Sequence, residues 1–392
     1  MKVLFLSAVF PYPLVSGGHV RIFNLLKELG RRHDITLFAH VRSHTEERFI
    51  PHVMPPCRQV RVFYRGRVWQ PKYIARALSS SLPLLLSSYE NRELSGILTH
   101  AYVNSFDVIH CEPFYVAHVL PETNVPRVIA EHNIEYEVYK AASDRYRAIP
   151  VLSAFMQWDV AKMKSWEERA WRMSDRVVCV SDEDKRVIDR TVKGKVTVVP
   201  NGVDCSYFQF SQRIADPVRP RFLFVGNYRW FPNTEAVRTL LTSVWPIVRA
   251  AYPKATLTVA GSHMPDSMRR TGLKAGVTML GWAEDIRAVY SDAHIFLAPL
   301  GIAGGSKFKI LEAMATGLPV ITTPEGATGL AVRDEEHVLT ARKPQDFLRR
   351  IGELLDNRGR ASHMARSARS LVEHTYAWDR IADILDTAWR NA

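Results

Sequence analysis

Residues 304–321, which read GGSKFKILEAMATGLPVI, hold the side chains best suited to chemistry in this chain of 392 residues. The run predicts a Gly-rich loop, a short helix capped by Ser306, a stop at Gly317 and then a strand. Gly304 and Gly305 have no Cβ, so a ligand can approach the backbone closely there. Because the first N–H groups of a helix lack partners within it, the start of this helix predicts an anion site.

Helical periodicity divides this predicted helix into two faces. Gly305, Lys309 and Glu312 lie on one face. The opposite face is apolar and is predicted to pack on the core (Phe308, Leu311 and Ala315). A lysine and a glutamate beside free helix N–H groups have the chemistry to bind a phosphate and a pair of sugar hydroxyls. The alternative at this spacing is a surface ion pair between Lys309 and Glu312, stabilising by about 0.2–0.5 kcal/mol.

The elements that must position these residues are strands alternating with helices. Short apolar runs recur at helix-length intervals (2–10, 35–39, 60–64, 108–110, 128–130, 176–181, 196–200, 221–225, 255–260, 277–280 and 294–298). This alternation predicts α/β architecture with parallel, doubly wound sheets, and the chain length suits two domains. The first apolar run continues into Pro11, and we interpret it as a buried strand rather than a signal peptide.

Two further candidates follow predicted strands, where open parallel sheets bind ligands. Gly17 and Gly18 form a turn between the first strand and a helix. This turn is not a GxGxxG run, which disfavours a nicotinamide dinucleotide site. His132 follows the strand at 128–130. A histidine at such a position is either a structural residue with satisfied hydrogen bonds or a ligand contact, and its place within Glu131-His132-Asn133 favours the contact.

Composition limits the possible partners. The chain has 52 Lys and Arg against 40 Asp and Glu, which gives a net charge of +12 and suits an anionic partner. No nucleic-acid-binding motif is present, so we predict no nucleic acid partner. Basic and aromatic residues at 65–76, followed by leucines at 82–86, suggest peripheral association with an anionic membrane; an ordinary helix is the alternative. The four cysteines show no metal-binding spacing, and we predict no metal and a cytoplasmic location, possibly at the inner face of the membrane.

The run at 304–321 resembles the donor-site signature of the retaining glycosyltransferases of family 4. Members of that family carry Glu-x7-Glu followed by Ala-Met-Ala-x-Gly-x-Pro-Val, and Glu312 matches the second Glu. The stretches at 107–110, 180–184 and 200–204 resemble the family as well. The resemblance implies a GT-B fold of two Rossmann-like domains facing a cleft. It implies an acceptor-side domain at 1–205, a donor domain at 206–375 and a helix at 376–392 that crosses back to the first domain.

For function, the resemblance implies a hexosyltransferase-type enzyme. It would transfer a sugar with retention from a nucleotide-diphosphate donor to a glycan or lipid-linked acceptor, in polysaccharide or glycolipid synthesis and without a cofactor. Its catalytic residues would be His132, Lys309 and Glu312. Its donor-binding residues would be Gly17, Gly18, Asn227, Arg229, Trp282, Gly304, Gly305, Ser306, Lys307, Lys309 and Glu312.

Gly304 departs from the family pattern, because it stands where most members carry the first Glu. We expect an active member of a subgroup that lacks this carboxylate. The alternatives are a degenerate protein that binds sugar nucleotides without transferring sugar, and a basic membrane adaptor.

Overall fold

The structure is a computed structural model that describes residues 1–143, 149–213, 215–301 and 307–392. The predicted site residues Gly304, Gly305 and Ser306 lie outside the described residues. The chain divides into two compact units, Met1–Pro200 with Ile381–Ala392, and Asn201–Arg380. The sequence placed its domain boundaries after residues 205 and 375, a few residues from these divisions; the acceptor and donor roles of the domains stay predictions.

A parallel sheet organises the first unit. Its strands are β1 (Lys2–Ser7), β2 (Asp34–Val41), β3 (Gln59–Tyr64), β4 (Val108–Glu112), β5 (Arg127–Glu131), β6 (Arg176–Cys179) and β7 (Val196–Val198). Their order is β3-β2-β1-β4-β5-β6-β7, with Ser7 beside Glu112. The winding reverses between β1 and β4, and open α/β sheets bind ligands beyond the carboxyl ends of strands at such a switch point.

The helices of the first unit pack against this sheet. They are α1 (Gly17–Leu29), α2 (Ile50–Val53), α3 (Pro71–Ser79), α4 (Leu84–Ser87), α5 (Arg92–Ile97), α6 (His100–Val103), α7 (Glu135–Ser143), α8 (Pro150–Met173) and α9 (Asp182–Ile188). The 3-10 helices His44–Phe49 and Phe114–Val119 complete the set in the described part of this unit. Leu82, Leu84 and Leu86 are buried in the core, so the prediction that this leucine cluster faces a membrane is wrong.

A second parallel sheet organises the second unit. Its strands are β8 (Arg221–Val225), β9 (Thr256–Ala260), β10 (Thr278–Leu280), β11 (Ile295–Ala298), β12 (Val320–Thr322) and β13 (Leu339–Thr340). Their order is β10-β9-β8-β11-β12-β13, so the winding reverses between β8 and β11. The loops that follow these two strands therefore leave the same edge of the sheet at its switch point.

The second unit has helices on its sheet as well. They are α10 (Phe231–Thr239), α11 (Trp245–Ala251), α12 (Asp266–Lys274), α13 (Ile286–Ser291), α14 (Phe308–Ala315), α15 (Pro324–Ala327), α16 (Pro344–Asp356) and α17 (Arg358–Leu371), with π-helical turns at Leu240–Val244 and Val372–Tyr376. The turn at Asn201-Gly202 has no positive φ at the glycine. Gly202 is required there because a Cβ would lie 2.8 Å from the Trp378 ring.

The last helix, α18 (Trp378–Arg390), ends the chain. Ile381–Ala392 belong to the first unit, and the apolar face of this helix is buried there through Ile381, Leu385 and Trp389. The predicted return of the C-terminal helix to the first domain is confirmed, as is the doubly wound α/β fold class. No helix among the described residues combines the length and the apolar character needed to cross a membrane.

Candidate active site

Helix α14 carries two of the predicted site residues of the second unit, Lys309 and Glu312. Lys307 precedes the helix as its N-cap, so the prediction that Ser306 is the cap is wrong by one position. Gly317 follows the helix with φ +82°, the left-handed conformation that ends many helices. The predicted apolar face is buried, while Lys309 and Glu312 are only partly buried, so the two-faced helix is confirmed.

Glu312 is held by a tyrosine that the sequence did not single out. Tyr290, fully buried on α13, donates its phenol O–H to Glu312 Oε2 over 2.7 Å. Burial raises the pKa of Glu312, and the Tyr290 hydrogen bond and the Lys309 charge lower it only in part. A carboxyl whose anion is incompletely stabilised gains from further hydrogen-bond donors, which is what a ligand with hydroxyl groups supplies.

Lys309 is the cation of this site. Burial lowers its pKa to about 8, and the nearby Glu312 charge raises it only in part. Within the described residues Lys309 Nζ forms no ion pair with a carboxylate, so the surface ion pair with Glu312 that the spacing also allowed is not formed. A buried ammonium group without a carboxylate partner is suited to bind an anionic ligand.

Lys307 adds a second buried cation at the start of α14. Its ammonium donates to the Glu325 carbonyl of α15 over 3.3 Å. The contact ties the start of α14 to α15 and keeps a positive charge beside the helix N-terminus. An anion at this point would meet both the side-chain charge and the helix dipole.

The loop after β8 lies at the same edge of the sheet. Asn227 Oδ1 accepts from the Arg229 backbone N–H over 3.1 Å, and the Asn233 amide donates to the Asn227 carbonyl over 2.8 Å. These bonds order the loop, while the Arg229 side chain is exposed. Because β8 and β11 are neighbours, the structure brings Asn227 and Arg229 to the edge that also carries the start of α14.

Trp282 is placed differently. It follows β10, the outermost strand on its side of the sheet, and its side chain is 63% exposed.

A second group of polar side chains lies at the start of α13. The Arg287 guanidinium lies 4.4 Å from the Tyr207 ring centroid and forms a two-pronged ion pair with Asp285. The sequence analysis missed Tyr207 and Arg287, because a cation stacked on a ring from a distant segment leaves no local signal.

In the first unit, a buried carboxylate gathers the polar side chains at the switch point. Glu112, the last residue of β4, is fully buried. Its Oε1 accepts from Arg21 Nε over 2.6 Å and from His132 Nε2 over 2.8 Å, and its Oε2 accepts from His110 Nε2 over 2.8 Å. We call Arg21, His110, Glu112 and His132 the Glu112 cluster.

The electrostatics of the Glu112 cluster are those of a satisfied anion. Burial acts to raise the pKa of Glu112, but the Arg21 charge and the hydrogen bonds from His110 and His132 outweigh burial and hold that pKa well below its usual range. Arg21 also donates to the Val199 and Pro200 carbonyls. The sequence analysis missed Arg21, because the α1 pattern shows only its apolar positions.

The sequence predicted that Gly17 and Gly18 lie in the turn before α1. They are instead the first two residues of that helix. Gly18 lies beside His132: a Cβ on Gly18 would be 3.7 Å from His132 Nδ1. Glu131 belongs to another environment, because its carboxylate accepts from the Trp171 indole N–H over 2.7 Å. Burial raises the pKa of Glu131. The structure thus joins Gly18 with His132 and separates both from Glu131.

Comparison with known proteins agrees with this architecture. Residues 15–207 match the family model described as Glycosyltransferase Family 4, and residues 219–357 match the one described as Glycosyl transferases group 1. An uncharacterized 44.6 kDa protein in the cps region of Klebsiella pneumoniae is 22% identical over 388 residues, covering 96% of both chains.

Two solved structures show the same fold. Sucrose-phosphate synthase from Thermosynechococcus elongatus is similar with a TM-score of 0.70 and 18% identity, over 100% of this chain and 98% of that one. The Anabaena protein HepE, in complex with UDP and glucose, is similar with a TM-score of 0.64 and 15% identity, over 99% and 98% of the two chains. Since the two family models between them match most of the sequence, this protein belongs to the glycosyltransferases of the GT-B fold.

Proposed function

We propose that this glycosyltransferase moves a hexose from a nucleotide-diphosphate donor to a hydroxyl of a glycan or lipid-linked acceptor, with retention of anomeric configuration. The part of this proposal that concerns the donor rests on the arrangement of two side chains on α14. Lys309 and Glu312 lie side by side, partly buried and without a direct ion pair, at the sheet edge where α/β folds bind ligands. A lysine there suits a diphosphate, and a carboxylate suits a pair of ribose hydroxyls.

The roles of the side chains follow from their contacts. Tyr290 occupies Glu312 Oε2, and Oε1 has no hydrogen-bond partner among the described residues. The carboxylate can therefore accept from ribose hydroxyls while the tyrosine fixes its orientation. Lys309, with Lys307, balances the diphosphate charge that grows on the leaving group as the glycosidic bond breaks.

A cationic site of this kind needs no metal to stabilise the leaving group, and we propose that none is used. Arg229 is exposed on the loop beside the site and can add charge once a donor is bound. Asn227 and Trp282 stay proposed donor contacts. In the first unit, Gly17, Gly18 and His132 are the proposed contacts for the transferred sugar. Retention of configuration rests on the resemblance to family 4, and Gly304, the position of the missing carboxylate, lies outside the described residues.

The pathway is proposed on two grounds. The relative from Klebsiella pneumoniae is named for the cps region, and the fold is shared with HepE, which was crystallised with UDP and glucose. Both fit synthesis of a cell-surface polysaccharide or glycolipid from a nucleotide sugar by a cytoplasmic enzyme at the inner face of the membrane.

One surface of the first unit supports a peripheral contact with an anionic membrane. Lys162 lies 4.0 Å from the Trp158 ring centroid and donates to the Ala77 carbonyl, which joins the exposed side of α8 to the end of α3. Leu78 and Val151 are exposed by 59% and 85% on these two helices. Exposed apolar side chains among basic ones are typical of segments that lie in a lipid interface.

Vesicle binding tests this membrane contact. We expect co-sedimentation with phosphatidylglycerol vesicles, weaker binding to phosphatidylcholine vesicles, and loss of binding in Leu78→Glu/Val151→Glu. The matched control is Leu273→Glu, which changes a leucine exposed by 60% on α12 of the second unit. Equal sedimentation of all proteins, or none, would rule out this surface as a membrane contact.

An activity assay tests the proposed reaction. The wild-type protein is incubated with UDP-, GDP-, ADP-, CDP- and dTDP-sugars and candidate acceptors, and release of nucleoside diphosphate is followed. We expect one donor class to react, an α-configured donor to give an α-configured product by NMR, and Glu312→Ala to lose most activity. Glu373→Ala, which removes a carboxylate from an exposed ion pair with Arg369, is the control. A product of inverted configuration would refute the retaining mechanism.

A further inference from the structure

The hydrogen bonds around Glu112 extend to the C-terminal helix. Trp389 on α18 donates its indole N–H to His110 Nδ1 over 3.2 Å, and both side chains are buried. The path therefore runs from Trp389 to His110, from His110 to Glu112, and from Glu112 to His132, all within the first unit. Each contact has a donor and an acceptor that chemistry can assign.

The assignment starts at Trp389, because an indole N–H can only donate. His110 Nδ1 must therefore be an acceptor without a proton. The other nitrogen, Nε2, must then carry the proton, and it donates to Glu112 Oε2. His110 is thus a neutral imidazole in a single tautomer, set by the residue from α18.

The assignment continues to His132. Glu112 Oε1 is an acceptor, so His132 Nε2 carries a proton and donates. The single negative charge of Glu112 is already balanced by Arg21, which bonds the same oxygen, and no other carboxylate among the described residues contacts His132. Neutral His132 therefore keeps an unprotonated Nδ1 as an acceptor.

That nitrogen is left uncovered by Gly18. Gly18 has no positive φ, and a Cβ there would meet only the His132 ring among the described residues, at ordinary contact distances of 3.7 and 3.8 Å. Neither backbone conformation nor a clash with the described protein requires glycine at this position. A glycine in such a place leaves room for another molecule beside Nδ1.

We propose that His110 and Trp389 are positioning residues that orient Glu112, and that Glu112 in turn holds His132 as the Nε2–H tautomer, with Nδ1 presented as a hydrogen-bond acceptor for a sugar hydroxyl. The role of the hydroxyl rests on the proposed function, whereas the tautomer does not. A helix at the far end of the sequence thereby helps to orient the carboxylate that holds a side chain in the N-terminal half.

Nitrogen NMR on the full chain tests the tautomer. In protein labelled with ¹⁵N-histidine, long-range ¹H–¹⁵N correlations distinguish protonated from unprotonated ring nitrogens, and His132→Gln and His110→Asn assign the two signals. We expect both histidines to show protonated Nε2 and unprotonated Nδ1 in the wild type. A protonated Nδ1 on either ring would overturn the proposal, and this measurement does not depend on enzymatic activity.

Trp389→Phe tests the coupling. It removes the indole N–H and keeps an aromatic ring, so His110 can exchange tautomers. With Nε2 unprotonated, His110 no longer donates to Glu112, and the carboxylate loses the bond that orients it towards His132. We expect a mixed His132 signal and a loss of about five-fold in kcat/KM, with nucleotide affinity unchanged. Trp245→Phe, which removes a buried indole N–H bonded to a carbonyl in the second unit, should change neither signal. An unchanged His132 signal in Trp389→Phe would overturn the coupling, and a changed signal without any transferase activity would contradict only the proposed function.

Discussion

Two carboxylates, the buried Glu112 in the first unit and the partly buried Glu312 in the second, are held in opposite ways. Glu112 accepts hydrogen bonds from Arg21, His110 and His132, and these hold its pKa well below the usual range against burial. Glu312 accepts one hydrogen bond among the described residues, from Tyr290, and burial raises its pKa. Glu112 therefore has hydrogen bonds on both carboxylate oxygens, whereas Glu312 has a hydrogen bond on one oxygen among the described residues.

This difference in hydrogen bonding distinguishes a carboxylate that holds its neighbours in place from one that is suited to bind a ligand. A carboxylate that accepts hydrogen bonds on both oxygens fixes its neighbours, because moving any of them exposes a buried charge. Among the described residues Glu312 Oε1 has no hydrogen-bond partner and Lys309 has no carboxylate partner, so hydrogen bonds remain that a ligand can supply. Glu112 therefore determines the geometry of the first unit at its switch point, whereas Glu312 is available for recognition.

The largest effect is expected from a variant that breaks the Glu112 cluster. Glu112→Ala leaves Arg21 buried without its carboxylate, and we expect a loss of about 3–5 kcal/mol in the free energy of unfolding. Urea denaturation followed by circular dichroism measures it. Glu312→Ala should lose less than about 1 kcal/mol, because the change removes an incompletely stabilised anion. Equal losses in the two variants would contradict the contrast between the carboxylates.

The next effect concerns pH and Lys309. Its pKa of about 8 means that the ammonium is charged below pH 8 and loses its proton above it. We expect nucleoside diphosphate affinity to fall about five-fold between pH 8 and pH 9, as the charged fraction of one ammonium per site falls from about a half to about a tenth. A bound diphosphate favours the charged form and raises the pKa of Lys309 in the complex, and this raised pKa sets the pH at which the fall in affinity ends. In Lys309→Arg the charge persists, and the affinity should stay level over this range.

Isothermal titration calorimetry from pH 6.5 to pH 9.5 follows this loss of affinity. Lys254→Arg, on the surface before β9, is the control and should behave as the wild type. A wild-type affinity that is independent of pH over the whole range would show that the Lys309 charge does not bind the ligand.

The smallest expected effect tests the role of the Tyr290 hydroxyl in nucleotide binding. Tyr290→Phe removes the hydroxyl that donates to Glu312, and we expect nucleotide affinity to fall about five-fold. Because that hydrogen bond lowers the pKa of Glu312, its loss raises the pKa. The carboxylate is then protonated at a higher pH, and binding on the acid side should be lost earlier than in the wild type.

Dissociation constants measured between pH 5 and pH 7.5 test this prediction. Tyr252→Phe removes a hydroxyl elsewhere in the second unit and should match the wild type throughout. If Tyr290→Phe also matched the wild type at every pH, the tyrosine would be a packing residue only.

Much of the fold followed from local patterns. Apolar runs at helix-length intervals predicted the parallel sheets, since strands buried on both faces must be apolar along their length. The spacing of Phe308, Leu311 and Ala315 predicted which face of α14 is buried, and hence that Lys309 and Glu312 share the other. Periodicity carries this information because burial selects residue types at each position.

The partners of the site residues could not be predicted in the same way. Tyr290 reaches Glu312 from another helix, and Arg21 reaches Glu112 across 91 positions of sequence. Such contacts depend on which strands become neighbours, and no local pattern records that order. One local prediction also failed, because Leu82, Leu84 and Leu86 pack in the core instead of facing a membrane.

The most direct measurement is the affinity of nucleoside diphosphates for the wild type and for Glu312→Ala. Calorimetric titration with UDP, GDP, ADP, CDP and dTDP should give one ligand that binds clearly better than the rest. Glu312→Ala should bind that ligand about 10- to 150-fold more weakly, because hydrogen bonds to a charged group contribute a binding free energy of this size. The fold of the variant should be unchanged by circular dichroism. Binding of equal strength in both proteins, or no binding of any nucleotide, would contradict the assignment of α14 as the donor site.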